Sequence, residues 1–212
     1  MTARTKTSPA TVLVALAVGA LALLGTACGP AGDGEALPVL WEAPDFALVD
    51  QTGDTLRAGE LEGTAWVAHF FFTRCEGVCP LTTARMAGLR DSLAADGLLG
   101  EEVRLVSISV DPARDTVRAV RAYAARFGGS PPSEWAFLTG ASARAIRRLV
   151  QDGFKVTATP TASPADTTGS YQVNHSPRLE LVDADGRIRA TYDPTEPGAI
   201  GRLRADLESL VR

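Results

Sequence analysis

Thr64-Ala-Trp-Val-Ala-His-Phe-Phe-Phe72 runs directly into Thr73-Arg-Cys-Glu-Gly-Val-Cys-Pro80. The first nine residues are almost all apolar, which predicts a central strand covered on both faces. Pro80 suits the first turn of a helix, where its missing N–H removes no bond. Met86, Leu89 and Leu93 then recur at helical spacing as far as Gly97. A buried strand therefore turns into a helix across two cysteines, at the kind of junction where α/β folds place their sites.

Working outward, Val103 to Val110 reads as a second buried strand that ends at Asp111-Pro112. Asp115 is expected to cap a helix with Val117, Val120, Tyr123, Ala124 and Phe127 inward, and Ser142 to cap another bearing Ile146, Leu149 and Val150. Phe154–Thr157 and Tyr171–Asn174 read as short strands. Between them Thr159–Ser170 is polar and rich in Pro, Thr and Ser, a mobile loop by composition. Leu179–Asp183 and Arg187–Tyr192 form a hairpin around Asp185-Gly186, and Pro197 opens a last helix. Ahead of the central strand, Asp45–Asp50 and Thr55–Arg57 form a small hairpin. Strands alternating with helices predict a three-layer α/β domain. Two parallel strands with a crossover helix, a late hairpin and a final helix give a thioredoxin-like order, with a mixed central sheet and flanking helices.

The first residues stand apart. Arg4 and Lys6 precede an apolar run from Ala10 to Leu24 that ends in Gly25-Thr-Ala-Cys28. The run is shorter than the roughly 20 apolar residues of a membrane-spanning helix and reads as a signal-peptide core. A small residue directly before a cysteine resembles a bacterial lipobox, although Gly25 stands where Leu or Val is usual. Residues 1–27 are thus expected to be a lipoprotein signal peptide, and Cys28 the lipid-bearing residue of a stable membrane anchor. Residues 28–38 form a Gly-rich tether, and 39–212 the folded domain. This places the domain at the cell membrane on the extracytoplasmic side. It also resolves an odd count of three cysteines, leaving Cys75 and Cys79 to the domain. Outside the cytoplasm that pair oxidises unless a thiol reductant acts on it or an upstream metal donor fills it.

Cys75 and Cys79 are four apart, which on a helix puts both sulfurs on one face. A helix start favours the thiolate form, the form that binds metal or attacks disulfides. Of the two histidines, His69 lies inside the apolar strand and reads as a packed core residue. His175, between the polar loop and a strand, is open to solvent or to a ligand role.

Taken together, His69 to Pro80, Val106-Ser-Ile-Ser-Val-Asp-Pro-Ala-Arg-Asp-Thr116, Trp135-Ala-Phe-Leu-Thr-Gly140 and His175-Ser176 before Asp183-Ala-Asp-Gly186 resemble the Sco/SenC family over roughly Val39 to Arg212. That family comprises copper chaperones of cytochrome c oxidase assembly, so the resemblance implies copper as cofactor and the copper-bearing oxidase subunit as partner. It implies Cys75, Cys79 and His175 as metal ligands, and Asp111 as a nearby orienting or electrostatic residue. Glu76-Gly77 and the long loop depart from the family pattern. The donor chemistry agrees: soft thiolates select Cu(I), and imidazole serves both copper states.

A thiol–disulfide oxidoreductase that reduces partner cysteines, possibly those of the same oxidase site, is the alternative. The usual Cys-x-x-Cys of such enzymes has one residue fewer between its cysteines than this chain. A formal charge of −4 gives no basic footprint, which argues against nucleic acid as a partner. Three further expectations follow. The polar loop moves to bring His175 to the sulfurs on metal binding. Thiolate formation depends on the helix start and little on His175. The Ser176–Pro177 bond is expected trans, the default for an X-Pro bond, with cis the alternative because thioredoxin-like oxidoreductases often hold a cis-proline facing the active-site turn.

Overall fold

The computed structural model describes residues 36–140, 142–161 and 173–211. Cys28 and the signal segment lie outside them, as does most of the polar loop. Leu37–Arg212 form one compact unit. Its strands are β1 (Trp41–Glu42), β2 (Ala47–Val49), β3 (Thr55–Arg57), β4 (Ala65–Phe71), β5 (Val103–Ser109), β6 (Trp135–Leu138), β7 (Ala158–Pro160), β8 (Val173–His175), β9 (Leu179–Val182) and β10 (Arg187–Tyr192). Its helices are α1 (Val78–Ala95), α2 (Val117–Ala125), α3 (Ala143–Arg147) and α4 (Ala199–Leu210).

Six strands form one mixed sheet in the order β1-β10-β9-β4-β5-β6. β4 pairs parallel with β5, and β5 parallel with β6, whereas β9 and β10 run antiparallel beside them. β4 is central and every one of its residues is buried, as its apolar run predicts. One row crosses the sheet at the start of β4: Trp41 faces Ile188, Ile188 faces Val182, and Val182 faces Trp66.

Alternation along β4 divides the core. On one face Tyr123 of α2 stacks on Phe71 with ring centroids 4.9 Å apart, and Thr82 of α1 bonds His69. On the other, Phe154 meets Phe70 and Trp66 edge-on at 5.2 and 6.1 Å, and Phe46 of the β2–β3 hairpin meets Trp66 at 6.2 Å. Three layers result, in the expected thioredoxin-like arrangement. The hairpin at Asp185-Gly186 also forms, with Gly186 at φ 78°, a backbone region that glycine occupies without penalty.

Two local expectations are corrected. Asp115 does not cap α2: Thr116 does, its hydroxyl accepting from the Ala119 N–H, because the Asp115 carboxylate is turned inward. The strand expected at Phe154–Thr157 lies at Ala158–Pro160. A single wide turn of helix, Arg148–Gly153, follows α3 and drives Phe154 into the core, and Lys155 reverses the chain at φ 57°. Of the strand expected at Tyr171–Asn174, residues 171–172 lie outside the described ones; Val173–His175 forms a strand antiparallel to β7, placing His175 opposite Ala158 in a ribbon separate from the main sheet.

Candidate metal centre

Beyond Phe71 the chain leaves the sheet and is fastened at Thr73. The Thr73 N–H lies 3.2 and 3.1 Å from the two carboxylate oxygens of Asp115, and its hydroxyl donates to one of them at 2.6 Å. The Ser109 hydroxyl donates to the other at 2.5 Å. Burial pushes the Asp115 carboxyl up, while the bonds from Ser109 and Thr73 pull the other way. The end of β4 is thus tied to the end of β5, two residues before the first cysteine.

Cys75 precedes the helix rather than lying on it, which corrects the expected helical face. α1 starts with Gly77 as its N-cap residue, and glycine has no side chain to accept from the helix start. The Cys75 sulfur takes that part, accepting the Cys79 N–H at 3.4 Å. The first N–H groups of a helix lack internal partners and carry partial positive charge, so they favour an anion at that point. The Cys75 thiol is held well below the ordinary range, chiefly by a hydrogen bond from the Cys79 thiol. Bonds from His175 and from the Cys79 and Gly77 backbones add to this, and burial opposes it. Cys79 is fully buried, and its thiol is pushed up by the same bond, by burial and by the charge on Cys75. The thiolate is thus favoured at Cys75 and the thiol at Cys79, and both cysteines are free.

His175 arrives on β8 and lies with its Nε2 3.1 Å from the Cys79 sulfur. Its Nδ1 lies 3.2 Å from the Ser176 carbonyl. A carbonyl only accepts, so Nδ1 carries a proton, and Nε2 is the ring nitrogen turned toward the sulfurs. Phe72 meets the ring edge-on at 5.9 Å. The Ser176–Pro177 bond is trans. His175 thus sits beside the sulfurs and adds a smaller part to the lowering of the Cys75 thiol.

The two sulfurs and an imidazole nitrogen all lie within 4.8 Å of one another. Metal–ligand bonds of about 2.0–2.3 Å put the corners of a three-coordinate site roughly 3.5–4 Å apart, so the donor set fits one soft ion with little adjustment. Among the described residues no carboxylate joins the group. Asp111 is buried just past the end of β5. Its N–H donates to the Ser109 hydroxyl at 3.1 Å and its carboxylate lies 3.6 Å from Arg114. Asp115 was the residue sequence reasoning misjudged, since an aspartate ahead of a threonine at a helix start reads equally well as a cap.

The sequence profile of the SCO1/SenC family matches residues 40–212. The chain belongs to that family. Among solved structures, a SCO1/SenC family lipoprotein from Bacillus anthracis is 30% identical with a TM-score of 0.71, covering 81% of this chain and 96% of that one. BsSco, a member of the Sco family of cytochrome c oxidase assembly proteins studied for a disulfide switch, is 32% identical with a TM-score of 0.67 over 82% and 95% of the two chains. Copper-bound ScoI of Arabidopsis thaliana is 25% identical with a TM-score of 0.65 over 79% and 98%. These SCO1/SenC neighbours share the thioredoxin-like fold described above.

Proposed function

We propose that this SCO1/SenC chain is a copper metallochaperone, with Cys75, Cys79 and His175 as ligands and the copper-bearing subunit of cytochrome c oxidase as recipient. The observation that carries this is the convergence of two sulfurs and one imidazole nitrogen within 4.8 Å, with no carboxylate joining them among the described residues. Copper-bound ScoI and the description of BsSco as an oxidase assembly protein support it. Thiolates are the binding form, so loading releases the proton held on Cys79. Cys75 is half-buried and Cys79 fully buried, so an incoming ligand meets the Cys75 side first. Three ligands leave room for a fourth from the recipient, which lets copper pass by ligand exchange. Lipidation at Cys28 would hold the domain at the extracytoplasmic face of the membrane; the Bacillus anthracis relative is described as a lipoprotein. No helix among the described residues is long and apolar enough to cross a membrane.

Anaerobic Cu(I) titration of the reduced full chain in detergent tests this, with metal quantified after desalting. One copper per chain is expected, lost in Cys75→Ser and in Cys79→Ser. A parent chain that elutes without copper refutes the reading. One observation favours a second role: the split between the Cys75 thiolate and the Cys79 thiol is also the arrangement of a dithiol reductant. Reduction of a partner disulfide by the metal-free chain would reveal it.

A further inference from the structure

β4 has one polar side chain, His69, and it is 1% exposed. An imidazole buried without partners is costly, whereas a leucine there would pack freely. Both ring nitrogens are in fact used. Nδ1 lies 3.0 Å from the Ser107 hydroxyl and Nε2 3.0 Å from the Thr82 hydroxyl. The direction of each bond follows from its neighbours. The Trp135 indole N–H can only donate, and it donates to the Ser107 oxygen at 2.9 Å. The Ser107 hydrogen then goes to Nδ1, so Nε2 carries the proton and donates to Thr82. The Thr82 hydroxyl donates in turn to the Cys79 carbonyl at 3.1 Å. A one-way chain thus runs Trp135, Ser107, His69, Thr82, Cys79, with every group in it bonded. Thr83 adds a second hydroxyl on the same carbonyl at 2.7 Å and is itself bonded to Tyr123 at 2.8 Å.

A threonine bonded to a carbonyl one turn back is an ordinary helix feature. What is particular here is that the threonine oxygen is also claimed from the sheet, which fixes its rotamer and couples the first turn of α1 to β4.

We infer that His69 is a positioning residue for the metal centre: acting through Thr82, it holds Cys79 at the spacing that suits a metal ion rather than a disulfide. The two sulfurs stand apart as free thiols, and a disulfide needs them at about 2.05 Å. Closing that gap moves Cys75, Cys79 or both, and the chain on the Cys79 carbonyl resists the part that falls on Cys79. Removing the chain therefore loosens the site for metal and eases disulfide formation. The metal half of this rests on the copper reading above; the disulfide half does not.

The test uses the full-length chain in detergent and the variants His69→Leu, Thr82→Val, their double, and His69→Gln, whose amide can restore a donor toward Thr82. Partners one step removed from a metal ligand set affinity by about tenfold or more. His69→Leu and Thr82→Val should each weaken Cu(II) binding about tenfold and shift its thiolate absorption band. In the metal-free chain each should lower the Cys75–Cys79 midpoint potential by about 30 mV, the equivalent of a tenfold change for a two-electron couple. The double variant should be no worse than either single one, since both break the same chain. His69→Gln should recover most of both effects. If His69→Leu does not fold, Thr82→Val decides the matter alone. Parental potential and spectrum in Thr82→Val, additive losses in the double, or no recovery in His69→Gln each overturn the inference. If the parent binds no copper, the copper reading fails while the potential still judges His69.

Discussion

Glu180 sits in the middle of β9, opposite Ala68 of the central strand, with no accessible surface. Arg178 pairs with it at 3.0 Å. Burial is nevertheless the larger effect and raises its carboxyl from 4.5 to about 8, with the arginine opposing. An acid raised in the folded state keeps its proton where the unfolded chain has already released it, so stability falls as pH rises across that window. The penalty is absent below about 4.5 and complete above about 8. At about 1.4 kcal/mol per pH unit it approaches about 5 kcal/mol across the window, with the attraction of Arg178 already included. Glu180→Gln keeps the shape and removes the titration. Urea denaturation of the reduced, metal-free chain should be compared for parent and variant between pH 5 and 9. The cysteines titrate in both proteins, so the difference isolates Glu180. The variant's advantage should grow steadily with pH, most of it by pH 8. A difference that stays constant from pH 5 to 9 refutes the reasoning.

His175→Ala should lose most Cu(II) binding, keep part of Cu(I) binding through the two sulfurs, and leave alkylation of Cys75 at neutral pH little changed, since the larger bond from Cys79 remains. An unchanged Cu(II) spectrum and affinity would remove His175 from the ligand set. Asp115→Ala strands the Thr73 N–H and two hydroxyls, and should cost about 2–4 kcal/mol in urea denaturation; an unmoved midpoint counts against the fastening of the cysteine loop. Cys28→Ser should abolish lipid labelling in cells and block processing at that position, and continued acylation would end the lipoprotein proposal.

The long elements were legible because each carries one period for many residues: the apolar run of β4, the helical spacing of Met86, Leu89 and Leu93, the hairpin around Gly186. β7 was not, since Ala-Thr-Pro shows no alternation and its partner stands across a long loop. The cysteine pair was legible as a site but not as a shape, because a spacing of four fits both a helical face and a turn capped by sulfur. Its histidine needed a family resemblance, as a loop histidine carries no pattern of its own. His69 read correctly as buried; its partners, 13 and 38 residues away, are set by strand register, which no local window contains.

The row joining Trp41, Ile188, Val182 and Trp66 lies at the start of β4, and the cysteine loop leaves from its end. Six residues of strand at about 3.3 Å each separate the two by about 20 Å. Arg189 donates to the carbonyls of Leu37 and Pro38, so the chain is clamped where it joins the domain. The point where the chain is clamped and the cysteine loop therefore lie at opposite ends of the central strand. A substitution that loosens the clamp at Leu37 and Pro38 therefore leaves the residues that position the sulfurs untouched.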